Sequence, residues 1–352
     1  MAVPLKYARG FSATTDNNGL RILTVHTPWP GAEHAYRYAL VPREQLASIT
    51  LPSDLYDAII AVPVERIALT STTHIPALEL LDSEDKLVGF PGLDYISSPA
   101  VRARITDGQV AELGANEQLN TEAVLLARPE LVVGFGIADA PRTYRAVEAS
   151  GIPVVYNGDW TEQSPLGKAE WLKFFGLLFD RLPEAEARFS EIESAYQEAR
   201  LQAAEAGNRP TVLSGALYRD IWYLPAGDSW AATILEDANA DYLWRGTEGT
   251  GSLSLSLEAV LEKGAQADFW VAPSQYASYA EMAAANPLYV RFDAFRRKRV
   301  IGYAASRGAT GGLLYFELGP SRPDLVLKDL VYHLHPGLLP AYSPVFFHPL
   351  EP

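Results

Sequence analysis

The chain has 352 residues, 48% of them hydrophobic, a formal net charge of −14 and no cysteine. This balance excludes disulfides, thiolate metal sites and a cysteine nucleophile, and it argues against a nucleic-acid surface. It also supplies enough apolar material for two ordinary domain cores, so two lobes are the expectation.

Residues 1–61 read as short strands and turns, since RILTVHTPWPG and AYRYALVP alternate and break at prolines. They are expected to form an N-terminal extension packed on a first lobe at 62–181. That lobe opens with a buried strand, Val64 to Thr70, followed by a hydroxyl-rich turn and a helix from Ile75. A second strand runs from Lys86 to Phe90. In LNTEAVLLARPELVVGFG, Asn120 caps a short helix, Pro129 stops it, and Leu131 to Gly134 forms a strand; YRAVEASGIPVVYN is again helix then strand. Repeated β-α-β units of this length imply a parallel sheet with helices on both faces. A helix over Pro165 to Phe179 is expected to close the lobe.

LPEAEARFSEIESAYQEARLQAAEAG, residues 182–207, reads as one long helix. Pro183 suits its first turn, Glu184 and Glu186 face the positive end of the macrodipole, and Phe189, Ile192, Tyr196 and Ala199 recur on one face. Beyond Gly207 the strand–helix grammar resumes through a second lobe, 208–336, followed by a tail, 337–352. Leu119–Leu125 (LNTEAVL) and Leu255–Leu261 (LSLEAVL) share five of seven residues at the same place in the element order, which favours a duplicated lobe. No eighteen-residue apolar run is present, and MAVPLKYARG lacks the apolar core of a signal peptide. The expectation is a cytosolic protein, or one whose export signal is not part of this sequence.

Two Rossmann-like α/β lobes with parallel sheets, joined by a single long interdomain helix, together with the LNTEAVLLARPELVVGFG and RIALTSTTHIPALELLDSEDKLVGF segments, resemble the class III periplasmic binding proteins. These are the substrate-binding components of ABC importers for iron siderophores, haem and vitamin B12, and the resemblance spans about Val62 to Pro336. A subgroup with an N-terminal extension and the phrases STTHI, DYISSP, PLGKAEWLKFFG and PDLVLKDL is most similar. The resemblance implies a cleft between the lobes that binds a metal chelate, and little hinge motion. It further implies a monomer working with an ABC permease in the periplasm or another extracytoplasmic space, with a lipid anchor allowed in the precursor. The family's permease-docking Glu after the first strand is replaced here by Pro76, so Glu79 and, on the second lobe, Glu236 are the candidates.

In doubly wound sheets ligands sit beyond the carboxyl ends of the strands. On the first lobe this selects Ser71, Thr72, Thr73 and His74, then Asp94, Tyr95 and Arg102, then Phe135 and Trp160. On the second it selects Tyr218, Arg219, Trp222, Tyr223, Trp230, Trp244, Arg245, Tyr276 and Arg307. Aromatic rings would cover the broad face of a chelate and guanidinium forks would pair with its oxygens. His74 is read as near the ligand; His333 and His335, two apart on a helix, do not share a face for a metal.

The Gly-rich RGATGGLLYFELGP lacks P-loop and dinucleotide spacing and is read as a mobile cleft-edge loop, and Ser214 sits in no nucleophile elbow. A chelate-binding protein is therefore preferred to a chelatase or metal-cofactor-processing enzyme on a similar frame, and to a free-metal receptor. No resident cofactor or catalytic residue is expected. A ferric siderophore is favoured over haem or a corrinoid because Arg102, Arg219, Arg245 and Arg307 fall on predicted cleft loops.

Overall fold

A computed structural model describes residues 2–17, 19–52, 54–115, 118–137 and 142–352. Strands Phe11–Thr15, Arg21–Val25, Tyr36–Pro42 and Ala58–Val62 form a four-stranded sheet in chain order, antiparallel except for the last pair. Its inner face carries Phe11, Leu23, Tyr38 and Ile60 into one core with Ile67, Leu87 and Phe174. The extension is thus a covering layer of the first lobe.

The first lobe is a five-stranded parallel sheet in the order Val154–Tyr156, Leu131–Gly134, Ile67–Leu69, Leu87–Phe90, Ala111–Glu112. Its four longer strands are buried end to end, as strands covered on both faces must be. The second lobe's sheet has the order Asp241–Tyr242, Thr211–Ser214, Phe269–Val271, Val300–Gly302, His348–Pro349 and is parallel except for its final edge strand.

In each lobe the opening strand lies between the second strand and the strand that follows the L-x-x-E-A-V-L helix, Leu131 pairing with Ile67 and Phe269 with Val212. A common four-strand core is therefore repeated, with one strand added at the far side of the first lobe and at the other side of the second. The added strand of the second lobe comes from residues 337–352, which also supply Phe346, Phe347 and Leu350 to its core. The expected tail is an integral part of that lobe.

Both chain ends are fastened by buried carboxylates. Glu170 accepts the backbone N–H groups of Lys6, Tyr7 and Ala8 at 3.0, 2.7 and 2.8 Å and pairs with Lys173 at 2.8 Å. At the other end Asp329 accepts the N–H groups of Phe346 and Phe347 at 2.6 and 2.8 Å and the Tyr342 hydroxyl at 2.6 Å. Extended backbone without a sheet partner needs acceptors, and a carboxyl group, with two oxygens, serves several N–H groups at once.

Between the lobes, helix Leu182–Ala204 buries Ala185, Phe189, Ile192, Tyr196, Ala199 and Ala203. This face, close to the 3.6 period, lies against helix Leu172–Leu178 of the first lobe and Pro323–Leu334 of the second. Twenty-three residues span about 35 Å at 1.5 Å each. The helix expected over Pro165 to Phe179 is two helices, Pro165–Glu170 and Leu172–Leu178, broken at Trp171 and buried on all sides.

Candidate functional site

The parallel strands of the first lobe end at the face turned to the second lobe. Thr70 follows Ile67–Leu69, Pro91 follows Leu87–Phe90, and Phe135 follows Leu131–Gly134. These ends, with Ser71, Thr72, Gly92, Tyr95, Gly114 and Ala115, form one wall of an inter-lobe cleft of about 700 Å³; Gln275, Arg307, Gly311, Gly312, Leu313 and Phe316 of the second lobe form the other. Tyr95 is 69% exposed there, so its phenol is free to meet a ligand. Arg307 donates from Nε to the Ala304 carbonyl at 2.9 Å and from one terminal nitrogen to Gly311 at 3.0 Å, which fixes its guanidinium at the cleft edge. It is the one charged residue of the wall, among the described residues.

Beside the cleft, a second cavity of about 360 Å³ enters the second lobe. Phe316 belongs to the walls of both, and Tyr218, Tyr223, Trp230, Tyr303 and Tyr315 also line the second cavity. The rings of Trp230, Tyr315 and Tyr303 stack, with centroids 6.1 and 4.6 Å apart and planes within 19° and 6°. The Lys168 ammonium lies 5.7 Å over Trp230 and donates to the carbonyls of Asp159 and Trp160; burial lowers its pKa.

Below the cleft the lobes touch directly. Glu317, on helix Leu314–Leu318, accepts the backbone N–H groups of Ser97 and Ser98 at 2.6 and 2.8 Å. The Ser97 hydroxyl donates to Gly312 and the Thr310 hydroxyl to the Asp94 carbonyl. A Cβ on Gly312 would stand 2.4 Å from the Tyr95 carbonyl oxygen, so only glycine permits this approach. Burial pushes the Glu317 pKa up to about 7; the two N–H groups oppose this and the nearby Glu79 charge adds to it. Glu79 itself accepts from the Ser98 hydroxyl at 2.6 Å, and burial raises its pKa.

Of the residues selected from sequence, Ser71, Thr72, Tyr95, Phe135 and Arg307 meet at the cleft, and Tyr218, Tyr223 and Trp230 at the adjoining cavity. The Gly-rich segment supplies the cleft edge. The others lie elsewhere. His74 is fully buried, 5.7 Å from the Phe175 ring with neither nitrogen hydrogen-bonded, and burial lowers its pKa. It is a neutral core histidine, because desolvation disfavours its charged form.

Trp222 is likewise buried, stacked on Trp270 at 5.2 Å and donating to the Ser214 carbonyl. Thr73 bonds the Ser71 hydroxyl, and Arg102 donates to the Leu93 carbonyl. Arg245 pairs with Asp241, and Trp244 is buried under the Lys263 ammonium. Trp160 and Tyr276 line neither cavity, while Arg219 turns back over Tyr218 at the tip of a hairpin. The docking candidate Glu79 is half-buried and bonded by the Ser98 hydroxyl of its own lobe, whereas Glu236 is exposed, 3.7 Å from Arg209. Sequence reasoning missed Gln275, Tyr303, Tyr315 and Phe316; the aromatic run in GLLYFELG was the available signal.

Residues 67–306 match the periplasmic binding protein family, which is more than half of the chain. The chain belongs to that family. An uncharacterised lipoprotein of Methanocaldococcus jannaschii is 26% identical over 298 residues, 82% of this chain and 69% of that protein. Among solved structures, a periplasmic haem-binding protein from Pseudomonas aeruginosa aligns with a TM-score of 0.61 at 20% identity, over 80% of this chain and 96% of its own. A periplasmic binding protein from Veillonella parvula aligns with a TM-score of 0.60 at 18% identity, over 95% of this chain and 98% of its own. As a periplasmic binding protein, the chain has two lobes, a bridging helix and a cleft at the strand ends.

Proposed function

We propose that this periplasmic binding protein is the extracytoplasmic, monomeric receptor of an ABC importer and captures a ferric siderophore of the hydroxamate type between its lobes. The cleft carries the reading: about 700 Å³, walled by Phe90, Tyr95, Phe135 and Phe316, with hydroxyls and, among the described residues, one arginine and no carboxylate. Its volume lies within the usual range for small-molecule sites.

The charge of the wall narrows the ligand. Four arginines were expected to favour an anionic chelate, and only Arg307 is present there. A ferric trihydroxamate is neutral at its metal core and needs no cluster of cations, whereas a ferric tris-catecholate or a haem dipropionate does. Aromatic rings cover the apolar parts of such a ligand at low entropy cost, and Arg307 and the Ser71 and Thr72 hydroxyls meet its carbonyl oxygens. The stiff bridge implies little lobe motion, so the protein would deliver its ligand as a nearly rigid body, with Glu236 as the exposed acid available to a permease.

The test is a fluorescence titration with ferrioxamine B, a ferric tris-catecholate, haem and cobalamin, alongside an assay for chemical change of each ligand. Stoichiometric, submicromolar binding of ferrioxamine B without turnover supports the reading. Tighter binding of haem or cobalamin, or multiple turnovers with any of them, overturns it.

A further inference from the structure

The cavity beside the cleft is built differently from the cleft itself. It runs from exposed Tyr218 and Tyr223 at its mouth to the aliphatic side chains of Ile234, Val326 and Leu330 at its end. The cavity, about 360 Å³, opens to solvent and is walled mostly by apolar side chains, the lining expected of a site for an apolar group.

A second observation is polar. Tyr303 and the Tyr315 ring stacked upon it both line the cavity; neither hydroxyl makes a hydrogen bond to another group among the described residues, and neither is sealed from solvent, so both can donate to a molecule in the cavity. Burial raises the pKa of both phenols, so each is a neutral donor. A phenol O–H with no partner in the protein is a ready donor to a ligand carbonyl.

From these two features we infer that the cavity is a subsite for an N-acyl arm of the chelate, its hydrocarbon chain lying against Ile234, Val326 and Leu330 and its amide carbonyl accepting from Tyr303 or Tyr315. The cavity and the cleft adjoin at Phe316, which lines both, so the subsite is assigned to an arm of the ligand seated in the cleft. A free hydrocarbon would leave the phenols unsatisfied, and a charged arm would lose its hydration among aliphatic side chains without a counter-ion. A neutral acyl amide meets both conditions. The inference rests on the chelate reading only for what the arm is attached to.

The experiment uses two ferric chelates of equal charge, N-acetyl and N-octanoyl ferrioxamine B, and octanamide as a metal-free probe, with Trp230 fluorescence as readout. The octanoyl form should bind at least about tenfold tighter than the acetyl form, since each buried methylene adds to affinity. Ala231→Phe, which fills the cavity from its helical wall, should remove that difference. Tyr303→Phe and Tyr315→Phe, which keep the rings, should together weaken octanamide binding severalfold.

Equal affinity for the two chelates, or octanamide binding indifferent to Ala231→Phe, overturns the subsite. Octanamide binding that Ala231→Phe abolishes, with neither chelate bound, supports the subsite and overturns the chelate reading.

Discussion

In the first lobe three neighbouring strands run straight into the cleft, so Thr70, Pro91 and Phe135 stand where a strand-end rule puts them. In the second lobe the opening strand Thr211–Ser214 meets Gly215 and turns into an antiparallel sheet of Ala216–Tyr218, Ile221–Pro225 and Ser252–Leu255. That insertion turns Trp222 into the core while Tyr218 and Tyr223 line the lobe's own cavity. One repeated core therefore gives a flat wall on one side and an aromatic-lined recess on the other. The difference originates in a single reversal of the chain.

The most damaging way to break this comparison is at the reversal. Gly215 has φ +76° and a Cβ there would sit 1.9 Å from the Tyr223 carbonyl oxygen. Gly215→Ala must move backbone and adopt a disfavoured conformation, with an expected loss of roughly 3 kcal/mol or more. Thermal unfolding of the purified variant should show a drop of many degrees; an unchanged midpoint would show that the hairpin is not held as described.

Next in size is Trp222→Ala, which empties a buried site among Trp270, Tyr289 and Phe292 and should cost about 3–5 kcal/mol. Tyr218→Ala, one side of the same hairpin but 63% exposed, should leave stability within about 0.5 kcal/mol and weaken binding of the acylated ligand. Denaturant titration of the pair separates a core residue from a lining one. Equal destabilisation would dissolve the distinction.

At the cleft, Arg307→Met should reduce affinity for ferrioxamine B by about tenfold, as expected for losing a charge-assisted hydrogen bond, while Arg245→Met should change it little. Both were attractive from sequence. Only Arg307 lines the cleft, and equal effects in calorimetry would mean that the second lobe presents a different face to its ligand.

Those residues show what a sequence conveys here and what it does not. The bridging helix was legible because its apolar residues obey one period over twenty-three positions and tertiary contacts follow that face. The first-lobe loops were legible because a parallel strand's end fixes which residue comes next. Trp222 was not: IWYLP alternates buried and exposed positions, a strand signal, yet its aromatic content read as a loop of ligand contacts. His74 stands one helical turn beyond true cleft residues, and a difference of rotation within a short helix is invisible in composition. Tyr315 and Phe316 lie on a helix of five residues, too short for a period to establish which side faces the cleft.

The last effect is one of pH and concerns where the two walls are joined. Glu317 reaches from the second lobe to the Ser97 and Ser98 amides of the first, and its pKa, about 7, stands above that of an exposed carboxylate because burial outweighs the two hydrogen bonds. The folded protein therefore holds a proton there that the unfolded chain releases. Its stability should fall as pH rises from about 4.5 through about 7 and be level above that, by roughly 3 kcal/mol for this group.

His74 acts in the opposite sense, since its lowered pKa favours the folded state as pH rises toward 6.5, so the difference between wild type and Glu317→Gln isolates the carboxylate. That difference should shift in favour of Gln as pH rises from 5 to 7, read from urea midpoints. A difference independent of pH would mean that Glu317 is ionised throughout, and that the contact between the lobes is an ordinary charge-assisted one.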